Sequence, residues 1–364
     1  MFFQRIKQAK DFLINNERYL SPLALVLGFL WDSLTLQRID LWIENVIIVA
    51  YLFIAGISIL ILNAYQGGRL YARLFEKIVF ITPFLLQFAF GGLFSAFVIF
   101  YSKSASFIAS WPFILILGFL LIGNELFRER YLKFTFQVSI FFIALYSYLI
   151  LAMPVLFNQI GAFVFIISGI TAVLLISGFI YIIYKAIPER FKEAQVLLFT
   201  IIGIIYLVFN FLYFTNIIPP VPLALKESGI YHSIERTGNK YKLTYEPSPW
   251  YSFFQEYNDV FHWRSGERVY CYSAVFAPTD IDTKIFHRWS YWSEEKEEWV
   301  KTDRLGYFII GGRGGGFRGY TFKSNLLEGD WRVEVITERD QVLGRIDFKI
   351  IKTDSLPELK TIFE

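Results

Sequence analysis

The thirty residues from Ile217 to Glu246, "IIPPVPLALKESGIYHSIERTGNKYKLTYE", divide the chain into two kinds of polymer. Pro219, Pro220 and Pro222 end a long apolar run. Proline cannot donate a backbone hydrogen bond and holds φ near one value, so the chain leaves stiff and extended. Past the prolines the apolar residues come in short alternating segments. The first, "YHSIERTGNKYKLTYE", predicts a hairpin turning at Gly238 and Asn239.

The two sides differ in charge as sharply as in pattern. Residues 1–218 hold fifteen of the 35 bases and ten of the 32 acids, and the remaining 146 residues hold twenty bases and 22 acids. The whole chain of 364 residues is 18% charged, 55% hydrophobic and 20% aromatic, against about 25% charged in an average soluble domain. Its mean hydropathy is +0.45. Neither half concentrates bases on a soluble face, which argues against nucleic acid as a partner.

A bilayer core about 30 Å thick takes about 20 apolar residues of helix. Seven stretches are expected to span: 20–36, 41–64, 76–100, 105–126, 133–156, 160–184 and 194–217. Residues 1–18 carry apolar Phe2, Ile6, Phe12 and Leu13 near one helical face with Arg5, Lys7 and Lys10 elsewhere, the pattern of a helix lying in the membrane surface. They lack the apolar core and cleavage site of a signal peptide. Lysine and arginine favour the cytoplasmic side. Thirteen lie in the N-terminal segment and the even-to-odd turnarounds; only Arg38 and Lys103 lie in the others. That asymmetry expects a cytoplasmic N-terminus and, after an odd number of crossings, an extracytoplasmic C-terminal domain. Trp31, Trp42 and Trp111 fall at the expected outer ends, where indoles favour the interface. The first stretch is short and carries Asp32. If it only dips into the bilayer, the parity reverses.

The middles of spans two to seven contain no Asp, Glu, Lys, Arg or His. An intramembrane charge ordinarily marks an ion path or proton relay, so a proton-coupled transporter is disfavoured. Gly91 and Ser95, four apart, suit close helix packing. The outer turnaround "WDSLTLQRIDLWIEN" is the exception, with Asp32, Arg38, Asp40 and Glu44 crowded together. Asp40 and Glu44 share a helical face. The group is either a site for a polar or cationic ligand, with the carboxylates as catalytic acids or bases, or a charged helix end with Arg38 as local counter-charge.

Beyond residue 228 about nine short strands are expected, an antiparallel sandwich-like all-β domain. The fold class is thus an α-helical polytopic membrane domain of about seven spans (19–218), an exit linker (219–227) and a β domain (228–364). "GGGFRG", Gly314 to Gly319, fits the spacing of a dinucleotide-binding turn. Such a turn must open a helix, and "FRGYTFKS" continues as strand, so no nucleotide is expected. Arg313 and Arg318 beside backbone amides could hold an anion, or Arg318 pairs with an acid across the sheet; Tyr320 shares its face. His287 and Trp289 share one face, Arg288 and Trp292 the other. Exposed indoles with arginine suit a glycan or protein surface, while buried ones would be core, with Trp331 the leading core member. The three histidines lack ligand spacing, so no metal or cofactor is expected. The single cysteine, Cys271, is expected to be buried.

Several segments, "VFAPTDIDTKIFHRW", "IIGGRGGGFRGYTFKS", "GDWRVEV" and "QVLGRIDFKI", resemble the bacterial domain-of-unknown-function family 2914 over about residues 265–350. Members of that family often follow a set of membrane helices. The resemblance implies a bacterial envelope protein in the cytoplasmic membrane and carries over no activity or catalytic residue. Two functions are in competition. One is a membrane-anchored domain that binds an envelope glycan, lipid headgroup or protein partner. The other is an enzyme of envelope lipids or polymers, with Asp32, Asp40 and Glu44 at its centre and an arginine holding phosphate. Translocation of an uncharged lipid or solute is a third.

Overall fold

The computed structural model describes residues 29–364 except 31, 35, 37–41, 69–72, 104–106, 127–132, 219–222, 239, 248–258, 279–280, 311–314 and 356. The N-terminal amphipathic segment, Arg38, Asp40, the exit prolines and Arg313 therefore lie outside the described residues. The chain splits into two compact units, the main change from one to the other falling after Ile218.

The first unit is helical: α1 (Trp42–Gln66), α2 (Arg73–Lys103), α3 (Phe107–Leu126), α4 (Phe134–Phe157), α5 (Ala162–Ala186) and α6 (Pro188–Phe214). Five of these are long and apolar enough to cross a membrane; the apolar part of α3, Trp111–Gly123, is shorter. Of the first expected stretch, only residues 29–30 and 32–34 are described as helical. Pro188 begins α6 at a position where a missing N–H costs nothing.

Aromatic rings and small residues knit the helices. The Phe165 and Tyr213 rings of α5 and α6 stack at 3.6 Å, and Tyr146 of α4 stacks on Phe209 of α6 at 4.7 Å. The tight approach of α1 to α2 is at Gly92, where an added Cβ would lie 2.6 Å from the Tyr51 ring. Ser95, expected with Gly91 to suit close helix packing, is buried and donates its hydroxyl to Asp32. Polar groups point inward: the Asn63 amide donates to Gln137 Oε1 at 2.6 Å and to the Ile59 carbonyl at 2.8 Å, with both side chains buried.

Among the described residues the second unit has eleven strands: β1 (Ala224–Tyr231), β2 (Ser233–Thr237), β3 (Lys240–Tyr245), β4 (Val260–Trp263), β5 (Val269–Phe276), β6 (Asp282–Ser293), β7 (Glu298–Ile310), β8 (Phe317–Lys323), β9 (Gly329–Thr337), β10 (Val342–Lys352) and β11 (Lys360–Phe363). They form three sheets, in the orders β1-β5-β8, β4-β10-β9-β6-β7 and β11-β3-β2. The expected hairpin is β2–β3, with Thr237 opposite Lys240 and Gly238 at φ +64°. Among the described residues three features differ from expectation: eleven strands where about nine were foreseen, a third sheet, and a parallel pair, β4 on β10. The third sheet escapes a sequence reading because its strands are short and β11 joins β3 from the far end of the chain.

Two interiors follow. One lies between β1-β5-β8 and the five-stranded sheet, and holds Cys271, Trp289, Trp331, Val333, Phe348 and Ile350. The other sets Ile234 and Leu243 of the third sheet against Tyr272 and Ala274 of β5. Strand β5 is thereby buried on both faces, which explains its unbroken run "VYCYSAVF". Cys271 is fully buried, as expected. Strict alternation along β10 would put Val342, Gly344, Ile346, Phe348 and Ile350 on one side. A bulge between Val342 and Gly344 hands the inward place to Leu343, and Ile346, Phe348 and Ile350 keep theirs.

Gly319 of β8 is a point of forced contact, since any Cβ there would enter the Tyr307 ring. The Tyr307 hydroxyl bonds Ser273, and the ring would have to give up that bond to move aside. Gly319→Val is expected to destabilise the β unit by about 1–3 kcal/mol, in the range of overpacked cores, measured as a lowered unfolding midpoint of the purified full-length protein.

Candidate functional site

The outer face of the five-stranded sheet is set by the burial of its inner face. In β6, Ile285, His287 and Trp289 point inward, so Phe286, Arg288 and Trp292 point outward. Strand pairing then lines up a row across four strands: Arg304 opposite Arg288, Arg288 opposite Glu334, and Glu334 opposite Arg345. Glu334 receives Arg288 on one carboxylate oxygen at 2.7 and 2.9 Å and Arg345 on the other at 2.9 and 3.3 Å. Burial alone would raise the Glu334 carboxyl, but the two guanidiniums outweigh it and hold it below the usual range.

A second row carries Arg332 of β9 against Asp347 of β10, a fork of 2.6 and 3.2 Å. The Arg332 guanidinium also lies 4.0 Å above the Trp299 ring. Trp299 of β7 is paired in register with Trp292 of β6, the two indoles meeting edge to face at 5.5 Å. These four side chains border an open groove of about 1100 Å³, which Trp331 also lines and to which β1 adds Lys226 and Glu227. Trp292 is 36% exposed and Trp331 only 2%. A partly exposed indole is thus flanked by a closed ion pair and further charged side chains.

A second constellation unites two of the three histidines. Glu246 accepts His232 Nε2 at 2.9 Å, His262 Nδ1 at 2.7 Å and the His262 backbone N–H at 2.6 Å. His232 Nδ1 faces Glu267 at 3.3 Å, and its ring stacks on Phe261 at 4.1 Å. Burial pushes the Glu246 carboxyl up; the bonds from His232 and His262 overcome this and leave it lowered. The cluster ties the β1–β2 junction to β4. Among the described residues no three His, Cys, Asp or Glu side chains are placed to hold a metal.

The residues singled out in the sequence do not converge on one place. His287 and Trp289 share a face, and that face is the interior: both are 0% exposed, so neither presents itself to an outside ligand. His287 bonds Ser273 Oγ and Thr321 Oγ1, each at 2.8 Å, and Ser273 also bonds the Tyr307 hydroxyl. Arg318 of β8 pairs with an acid, as one option had it, but that acid is Glu364, just past β11 of the third sheet, at 3.7 Å. Tyr320, on the same face, meets the Tyr241 and Tyr270 rings at 6.1 Å. Asp32 accepts a 2.6 Å bond from Ser95, and Glu44 is buried in the first turn of α1. Arg332, Asp347 and Glu246 went unrecognised in the sequence. For the first two the signal was there: alternation in "WRVEVIT" and "GRIDFKI" puts them on the polar face. Glu246 meets His232 and His262 across 14 and 16 residues, and no local spacing announces that.

A β unit with an aromatic groove, following a set of apolar helices, is the class that the geometry defines. The family described as "Protein of unknown function (DUF2914)" matches residues 282–350. The resemblance expected from the sequence holds there, and the matched stretch runs from β6 into β10 and carries Trp292, Trp299, Arg332 and Asp347. No curated protein matches the chain. Among solved structures, an immunoglobulin-like protein from Pseudomonas aeruginosa is 10% identical, with 36% of this chain and 98% of that one covered and a TM-score of 0.22. A β-glucosidase from Listeria innocua in complex with isofagomine is 12% identical, covering 34% and 17% at a TM-score of 0.20. An alkylpurine DNA glycosylase from Pseudomonas fluorescens bound to DNA containing an abasic site analog is 10% identical, covering 86% and 99% at 0.22. At TM-scores this low the likenesses do not assign a fold.

The two histidine networks give distinct responses to acid. Burial pushes the His287 imidazole down to about 3, whereas an unfolded histidine titrates near 6.5. Its contribution to stability is complete above about pH 6.5 and is lost as pH falls toward 3, because only the unfolded chain takes up the proton there. His287→Gln is expected to flatten the unfolding free energy of the β unit between pH 6.5 and about 4. Glu246, a lowered carboxyl, contributes above its ordinary pKa, and that contribution is lost as pH falls through its folded value. Glu246→Gln is expected to lower stability at neutral pH and to flatten the curve only below about pH 4.5. Urea titrations across pH, read by fluorescence, separate the two.

Proposed function

We propose that the protein is a binding protein of the bacterial envelope, held in the cytoplasmic membrane by about seven spans, with its N-terminus in the cytoplasm. Its C-terminal unit is a β sandwich outside the membrane, with the third sheet packed on its far side. That unit takes an extended ligand in the groove bordered by Trp292, Trp299, Arg332 and Asp347. The groove carries the reading: a partly exposed indole beside a fixed ion pair has no part in the interior, and an open volume of about 1100 Å³ exceeds what a small solute fills. The thirteen-to-two basic asymmetry supports the orientation. So do Trp42 and Trp111, both exposed at expected outer ends.

Cys271, the single cysteine, is wholly buried, so an introduced thiol can be read against a quiet background. Lys296→Cys, in the exposed β6–β7 turn, is expected to react with a membrane-impermeant maleimide in intact cells. Labelling only after the membrane is opened would reject the extracytoplasmic placement. Lys349→Cys, lining the groove, is expected to be labelled several-fold more slowly when envelope polymer is added to the purified protein. Equal rates with every envelope fraction would reject the groove as the site.

A further inference from the structure

The charges and rings of the groove narrow its ligand further, a step that rests on reading the groove as a binding site. Four basic side chains line it, among them Arg332 and Lys349, and four acidic ones, among them Asp330 and Asp347. A polyanion entering here would meet as many carboxylates as cations. It would also have to part Arg332 from Asp347, whose fork is closed at 2.6 and 3.2 Å, and Arg345 from Glu334 at 2.9 Å. A purely apolar chain would have to desolvate all of these groups without replacing their hydrogen bonds.

Hydroxyl groups meet neither objection. Each can donate to a carboxylate oxygen and accept from a guanidinium or ammonium N–H, so a polyhydroxylated ligand bonds paired charges without separating them. The ring surface points the same way. Trp292 stands edge to face on Trp299 at 5.5 Å, and Trp299 is capped by Arg332 at 4.0 Å. The capped indole serves as a support, while Trp292, 36% exposed, keeps surface for a ligand. A pyranose ring offers one apolar C–H face to such an indole and hydroxyls around its rim.

We infer that the groove binds an uncharged pyranose oligosaccharide, with one sugar ring stacked on Trp292 and the hydroxyls of that ring and its neighbours bonded to the Arg332–Asp347 pair and to Asp330. At about 1100 Å³ the open groove has room for more than one linked ring, so affinity rises with chain length.

The test uses the purified full-length protein in phosphatidylcholine nanodiscs, because a sugar-headed detergent would compete. An array of neutral gluco-, galacto-, manno- and xylo-oligosaccharides is presented beside polygalacturonate and polyphosphate. The expected result is retention of a neutral series, stronger for longer chains and little changed by salt. Trp292→Ala is expected to weaken that binding by about tenfold or more, the loss typical of a truncated aromatic anchor, and Asp347→Asn by a smaller factor, with unfolding midpoints showing both variants folded. Preference for the anionic polymers, abolished by salt as screened charge contacts are, would overturn the neutral ligand and leave the groove standing. Silence of the whole neutral array while envelope polymer still protects a thiol at position 349 would do the same. Neutral binding indifferent to Trp292→Ala would overturn both readings together.

Discussion

The register of the five-stranded sheet is fixed from inside, and the outer face inherits it. Trp289 meets Trp331 at 6.5 Å and Phe348 at 6.4 Å, each ring edge to face with its neighbour. These three side chains come from β6, β9 and β10, and a slip of one residue in any strand would turn its ring to solvent. A fully buried large aromatic contributes more than any surface ion pair can. The interior therefore dictates that Arg288 stands opposite Glu334, that Glu334 stands opposite Arg345, and that Arg332 stands opposite Asp347. The polar rows and the groove beside them are consequences of where three aromatic rings must go.

Buried polar groups refine what the apolar core sets. His287, Ser273, Tyr307 and Thr321 come from β6, β5, β7 and β8, so one small network crosses between the two sheets. Desolvating an imidazole and three hydroxyls is costly unless each finds a partner. Apolar packing tolerates many relative positions of two sheets; a set of hydrogen bonds near 2.8 Å tolerates few. Glu246 plays the same part at the edge, where its two oxygens reach His232 and His262 and hold the start of β2 against β4.

The sequence disclosed whatever depends on local periodicity. The apolar helices, the β2–β3 hairpin, the continuous strand through the last glycine of "GGGFRG" and the burial of Cys271 all follow from patterns a few residues long. His287 and Trp289 illustrate the limit. Alternation says that they share a face but not which face, because both suit a core and both suit a recognition surface; only the packing of Trp289 against Trp331 decides it. Within the groove the same ambiguity ran the other way. Trp292 and Trp299 were visible as indoles, yet their pairing depends on a register shift between Trp289 and Ser290 in the β6–β7 ladder, which composition cannot announce. The third sheet and the Glu246 cluster depend on contacts between distant parts of the chain. Arg38, Asp40 and Arg313 lie outside the described residues, so the outer-turnaround carboxylates are represented by Asp32 and Glu44.

The two units solve opposite problems of solvation. In the β unit the largest indoles, Trp289 and Trp331, are inside, and most charged side chains are outside. In the helical unit, Phe53, Leu174 and Leu207 are each 67% exposed, while Asn63, Gln137 and Ser168 are buried. A soluble protein seldom leaves apolar patches beyond a few hundred Å² in water, and helices studded with exposed Leu and Phe on several faces far exceed that. Inverted burial of this kind is stable when the surroundings are themselves apolar, so that side chains facing outward lose nothing and polar groups gain by finding one another inside. The Asn63–Gln137 bond fits that solvent, because an amide turned outward there would go unsatisfied. The chain changes its sorting rule within a few residues of Ile218, the change expected of helices suited to hydrocarbon followed by a β unit suited to water.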